Sequence, residues 1–162
     1  LHKAIRRQRQ MCIRDSVQKM TAGSGIIHSE FNPSDKEPVH FLQIWIIPNM
    51  LDLRPSYEQK AFNRKSMTNR LTLLVSPDGH NGSLEIHQDA EIWQILLEEN
   101  KDTEFAINHN RKIWIQVAEG SVSTNEHLLV AGDGLAVSDE EGIIRLRGID
   151  KLSNIIIFNL RA

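Results

Sequence analysis

The amino-acid sequence predicts an all-β fold. Three observations carry that prediction. Short β-branched and aromatic runs recur along the chain. Turn signals separate them, and no long segment shows the apolar period of an amphipathic helix. In chain order, a glycine turn at Ala22-Gly23-Ser24-Gly25 leads into a strand carrying His28 and Glu30, and Val39 to Ile47 (VHFLQIWII) reads as a second strand ended by Pro48. Residues 57–64 (YEQKAFNR) are at most a short helix. Further strands are expected at 71–75, 84–87, 92–97, 104–107, 112–118, 121–124, 127–131, 134–138, 143–147 and 154–160. Ser76-Pro77-Asp78-Gly79, Asn81-Gly82, Glu119-Gly120, Gly132-Asp133-Gly134 and Glu141-Gly142 supply the turns. Many short strands at such spacing argue for a sandwich or barrel.

The connections suggest two β units. Pro48, Pro55 and the polar run from Asn63 to Arg70 make 48–70 a connector between a unit at 17–47 and a denser strand set at 71–162. A faint internal repeat agrees: Ala22-Gly23-Ser24-Gly25-Ile26 recurs as Ala131-Gly132-Asp133-Gly134-Leu135, which sets Val137 against His28 and Asp139 against Glu30. Only the first copy carries an imidazole and a carboxylate.

Composition narrows the function classes. The 162 residues, 40% hydrophobic and 25% charged, suit a soluble globular protein, and no apolar run approaches a membrane span. No secretory leader is visible, and Cys12 is the single cysteine, so no intrachain disulfide forms; a cytoplasmic location is expected. Residues 1–16 are foreign in character. Lys3, Arg6, Arg7, Arg9 and Arg14 lie there with one acid, Asp15, and the block resembles translated sequencing-adapter read-through. It is read as a non-native or disordered segment and set outside the fold. Without it the chain holds 14 basic and 20 acidic residues, a balance of −6 that argues against direct nucleic-acid binding.

The residues that could carry chemistry are few. His28 and Glu30 are two apart, so strand geometry puts both on one face, where they could ligate one divalent metal. Against that stands the ordinary surface pair. No His-x-His, Cys-x₂-Cys, Gly-x-Ser-x-Gly or phosphate-loop pattern occurs. His40 reads as a solvated or hydrogen-bonded strand residue, His80 as exposed in a turn, and His87 as hydrogen-bonded near Asp89. His109 and His127 flank turns with no visible partner. Trp45, Trp93 and Trp114 read as core aromatics rather than a stacking platform for bases. Asn81-Gly82-Ser83 reads as a turn, not a glycosylation acceptor.

Five stretches together resemble the pirin family of the cupin superfamily, and more closely its bacterial pirin-like quercetinase branch. They are MTAGSGIIHSEFNP from Met20, LQIWIIP from Leu42, PSYEQKAF from Pro55, SPDGHNGSLEIHQD from Ser76 and IWIQVAEG from Ile113, in family order. The resemblance implies a bicupin: two jelly-roll β-barrels, the first incomplete here (17–47) and the second complete (71–162). It implies one metal, usually Fe(II), held in the first barrel by three histidines and one glutamate. His28 and Glu30 match the third and fourth ligands, while the upstream His-x-His strand that supplies the others is lacking. The expectation is an N-terminally truncated chain without a complete site of its own. Some family members resemble flavonol 2,3-dioxygenases, in which Glu30 would also be a candidate base for the substrate hydroxyl. Others act as iron-dependent partners of transcription factors, so a regulatory protein partner is the alternative to catalysis.

Overall fold

The computed structural model describes residues 15–124, 126–138 and 140–162, and the backbone of 7–11. Cys12 and Asp139 lie outside the described residues, as does most of the basic block. The chain divides into two compact units, residues 1–62 with 86–88, and 63–85 with 89–162. The boundary therefore falls at Phe62/Asn63, within the stretch read as a connector.

The first unit holds four strands in two ladders. β1 (Arg7–Met11) pairs in parallel with β3 (Ile27–Phe31), and β2 (Ser16–Thr21) pairs antiparallel with β4 (Ser56–Ala61). The segment 1–16 is thus not wholly outside the fold: it supplies β1 and the first residue of β2. β4 corrects the expectation of a short helix over 57–64. Glu58, Gln59, Lys60 and Ala61 are good helix formers, but cross-strand pairing to β2 outweighs a propensity worth tenths of a kcal/mol per residue. A larger correction concerns Val39 to Ile47. These residues form no strand and join no ladder among the described residues. A strand-forming composition pairs only where a neighbouring strand runs beside it; here the Ile47 carbonyl accepts from the Gln88 side chain at 2.7 Å instead. Their side chains are exposed except for a half-buried Ile46, with Trp45 87% and Ile47 84% exposed. None of the described residues of the first unit is buried.

The second unit follows the expected strand set closely. A one-turn helix α1 (Arg64–Met67), capped by the Asn63 side chain on the Lys65 amide, precedes β5 (Thr72–Ser76). A 3₁₀ turn at His80–Gly82 leads to β6 (Leu84–Glu85), and then come β7 (Ala90–Glu98), β8 (Asp102–Ile107), β9 (Arg111–Glu119), β10 (Ser121–Ser123), β11 (Leu128–Val130), β12 (Gly134–Val137), β13 (Gly142–Gly148) and β14 (Leu152–Arg161). They form a six-stranded sheet in the order β12-β9-β14-β7-β5-β6 and a four-stranded sheet in the order β11-β10-β13-β8.

Period-2 alternation builds the core between these sheets. Ile95, Leu97, Ile113, Ile115, Val117, Ile155 and Ile157 from the six-stranded sheet meet Phe105, Ile107, Val122, Leu129 and Leu146 from the other. Burying each such side chain contributes about 1.5–3 kcal/mol. Of the three tryptophans only Trp93 packs on this core, edge to face with Phe105 at 6.1 Å. Trp114 sits on the outward phase of β9, 40% exposed, and covers Gly134, where any Cβ would meet its ring at 2.1 Å. Trp45 and Trp114 are therefore not core residues. No helix among the described residues is long and apolar enough to cross a membrane.

Candidate metal centre

The turn before β3 is built for its sequence. The Gly25 amide donates to the Ala22 carbonyl at 2.8 Å, and Gly23 adopts φ +52° with the Leu53 carbonyl 2.1 Å from where a Cβ would stand. Only glycine tolerates both the backbone angle and that approach. β3 leaves the turn with alternating exposure: His28 and Glu30 are half-buried, while Ile27, Ser29 and Phe31 are exposed. The two candidate ligands share one face, with His28 Nε2 3.9 Å from Glu30 Oε1. The related turn at Ala131-Gly132 leads into β12 through a different bond, the Asp133 amide donating to the Val130 carbonyl at 2.9 Å, and Val137, the counterpart of His28, is packed against the core.

As metal ligands the pair fits in part. Bonds of about 2.0–2.2 Å to a common ion place neighbouring donor atoms about 3 Å apart, a small side-chain adjustment from the observed spacing. An imidazole nitrogen with a carboxylate oxygen suits first-row divalent ions. Two ligands do not hold such an ion, however, and no group of three or more His, Cys, Asp or Glu residues capable of it occurs among the described residues. Gln8 and Gln10 are the register partners of His28 and Glu30 on β1. No second ladder runs along β3 among the described residues.

The other histidines lie apart from this pair. His80 Nδ1 meets Asp78 Oδ1 at 2.5 Å in the Ser76–Ser83 turn. Hydrogen bonds from the His80 side chain and amide hold the Asp78 carboxyl down at about 2. Ser76 Oγ donates to the same carboxylate at 3.1 Å and lies 2.7 Å from Ser83 Oγ, which makes this a polar staple rather than a nucleophile pair. His109 pairs with Glu141, a contact across 32 positions that no local pattern signalled. Asp89 pairs with Arg111 at 2.7 Å, and the hydrogen bond at His87 runs through its carbonyl to the Asn49 amide. His40 is exposed in the 39–47 segment, not in a strand.

Sequence reasoning also missed a polar network on the inner face of the six-stranded sheet. Arg111 donates to Asn159 Oδ1 and to the Asn159 carbonyl, each at 2.8 Å. Asn159 Nδ2 and Trp93 Nε1 both donate to Glu91 Oε2 at 3.0 Å. Its signal was present but faint: polar residues at inward phases of strands that are otherwise apolar.

Comparison with known proteins fixes the family. Residues 73–160 match the family described as the quercetinase C-terminal cupin domain, and residues 2–46 match pirin. The chain is 39% identical over 143 residues to an Escherichia coli protein named quercetin 2,3-dioxygenase, covering 88% of this chain and 60% of that protein. It is 30% identical over 142 residues to a Caulobacter vibrioides pirin-like protein, with 87% and 60% covered. A crystal structure of bacterial pirin YhhW from Escherichia coli in complex with nickel(II) superposes with a TM-score of 0.81 at 37% identity, over 91% of this chain and 62% of that one. The chain thus spans about 60% of the length of these curated relatives. The all-β sandwich of the second unit, which carries the match at 73–160, and the match at 2–46 before it lead to one conclusion: this chain belongs to the pirin family of cupin proteins.

Proposed function

We propose that this chain is part of a cytoplasmic, pirin-type metal-dependent dioxygenase that opens a flavonol such as quercetin with O₂. His28 and Glu30 are two of its metal ligands, with Fe(II) as the native ion, and Glu30 is also the base for the substrate hydroxyl. Residues 17–47 then belong to the first barrel and 71–162 to the second, joined through 48–70. The observation that carries this reading is the pairing of His28 and Glu30 on one face of β3, 3.9 Å apart, behind a turn that only glycine can make. The name of the Escherichia coli relative supports the substrate class, and the nickel(II) held by the bacterial pirin supports a divalent ion. The ligand set among the described residues stops at two.

Quercetin consumption and carbon monoxide release, measured on the full-length protein of the source cell loaded with Fe(II), test the proposal. Turnover that disappears in His28→Ala and in Glu30→Gln is expected; metal-loaded protein without turnover would overturn it. The second reading is an iron-binding regulatory protein that acts through protein contacts without catalysis. It draws on the exposed apolar residues of the 39–51 segment, and a pull-down from the source cell without a specific partner would count against it.

A further inference from the structure

One row of inward residues crosses the six-stranded sheet of the second unit at a single level. Val137 pairs with Ile113, Ile113 with Asn159, and Asn159 with Glu91. Val137 is the counterpart of His28, so the row corresponds to the level of the candidate metal ligands in the first unit. Here its apolar members offer no ligand to a metal, and its polar members are tied to Arg111, the next inward residue of β9. Asn159 is buried, and the Arg111 side chain is only 16% exposed. Apolar side chains of similar volume would fill this end of the core without the desolvation cost of a buried charge, so stability alone does not account for the network. Nor is the network closed. Arg111 donates three of the five N–H groups of a guanidinium: Nε to Asn159 Oδ1, one terminal nitrogen to the Asn159 carbonyl and the other to Asp89. Each terminal nitrogen keeps one N–H with no acceptor among the described residues. Glu91 receives Asn159 Nδ2 and Trp93 Nε1 on the same oxygen, Oε2, which leaves Oε1 without a donor among the described residues.

We propose that this end of the second unit is a metal-free binding site for a neutral hydroxylated aromatic molecule. One hydroxyl donates to Glu91 Oε1, a second oxygen accepts from a terminal N–H of Arg111, and the ring lies beside the half-buried Trp93. Charge sets the class. One guanidinium stands against two carboxylates, Asp89 and Glu91, so the site carries a net negative charge and repels an anion. A ring without hydroxyls would leave the open donor and acceptor unpaired, at a cost of about 1–3 kcal/mol each. The site lies outside the His28–Glu30 pair and does not rest on the reaction proposed for it.

Resorcinol is the probe, because its two hydroxyls are not adjacent and it chelates metals poorly. It is titrated into the nitrogen-15-labelled 162-residue chain in buffer containing a metal chelator. The expected result is a saturable shift of the Trp93 Nε1–H resonance, with the Trp45 and Trp114 indoles and the His28 and Glu30 amides unmoved. Glu91→Gln keeps an acceptor for Asn159 and Trp93 but turns an amide N–H to where Oε1 stood, and is expected to weaken binding at least about tenfold. Benzoate, the anionic comparator, is expected to bind at least about tenfold more weakly than resorcinol. No saturable shift at Trp93 would overturn the proposal, and so would undiminished affinity in Glu91→Gln. Shifts at His28 and Glu30 in place of Trp93 would put the ligand in the first unit and overturn it as well. Benzoate binding as tightly as resorcinol would overturn the ligand class. Wild-type shifts at the Ile155 and Ile157 amides confirm that the variant keeps its fold. Quercetin turnover at the first unit is a separate measurement, so either reading can fail without the other.

Discussion

Ile115 and Ile47 are the same residue in two different situations. Ile115, on the inner face of β9, is fully buried between two sheets; Ile47, at the end of an apolar run of equal β propensity, is 84% exposed. The contrast extends to the two units that contain them. Every described core residue lies in the second unit, from Met67 onward, whereas the described residues of the first unit form only two-stranded ladders and none of them is buried. Apolar composition therefore does not by itself create a core. Burial requires a facing layer, which the second unit supplies from its own chain and the described first unit does not.

Hydrogen exchange probes that contrast most strongly. Amides at the centre of β14, bonded on both sides, open only with the whole unit, and those of 39–47 have no ladder to break. Exchange at Ile155 and Ile157 is expected to be at least about a thousandfold slower than at Phe41 to Ile46. Equal protection would erase the distinction. A cavity reads the same difference in energy. Ile157→Ala is expected to cost about 2–5 kcal/mol in urea unfolding, and Ile47→Ala to stay within about 0.5 kcal/mol of wild type. A comparable loss at Ile47 would mean that the first unit hides a core of its own.

Smaller effects sharpen the picture within the second unit. Arg111→Ala strips donors from Asn159 and Asp89 and is expected to cost about 1–3 kcal/mol, with Arg111→Lys recovering only part, since one ammonium cannot replace three directed donors. The weakest effect belongs to Asp78. Its carboxyl is held at about 2, below the usual carboxylate range, by hydrogen bonds from His80. A depressed value stabilises the folded turn above the ordinary pKa and is lost as pH falls through the folded one. NMR shifts of the Ser76–Ser83 turn are therefore expected to hold steady down to pH of about 3 and to move below it, with a midpoint at about 2. Asp78→Asn should flatten that response.

Most of the second unit was legible because its strands alternate cleanly and its turns carry Gly, Asn and Asp. Ten strands expected between 71 and 160 all have counterparts within a few residues. The first unit was harder to read for a physical reason. Strand propensity records what a backbone can pair with, not whether a partner strand lies beside it, so 39–47 reads as a strand and yet joins no ladder among the described residues. β4 escaped notice because two polar strands can hold one another by backbone bonds without any apolar pattern. The shared face of His28 and Glu30 followed from period 2 alone. The Arg111–Asn159–Glu91 network did not, because its members meet only when β7, β9 and β14 lie side by side.

That adjacency sets an order of events in folding. β14 is synthesised after every other strand of the second unit, yet it lies between β9 and β7, and without it the six-stranded sheet falls into two separate pieces. The second unit therefore closes late. Its two apolar half-layers are made first and wait, unjoined, for ten residues that arrive roughly sixty positions after β7, a long-range closure of the kind that slows folding. During that interval the inner faces of β7 and β9 are open to other chains, and this is the window in which a ribosome-bound or overproduced chain would need the help of a chaperone.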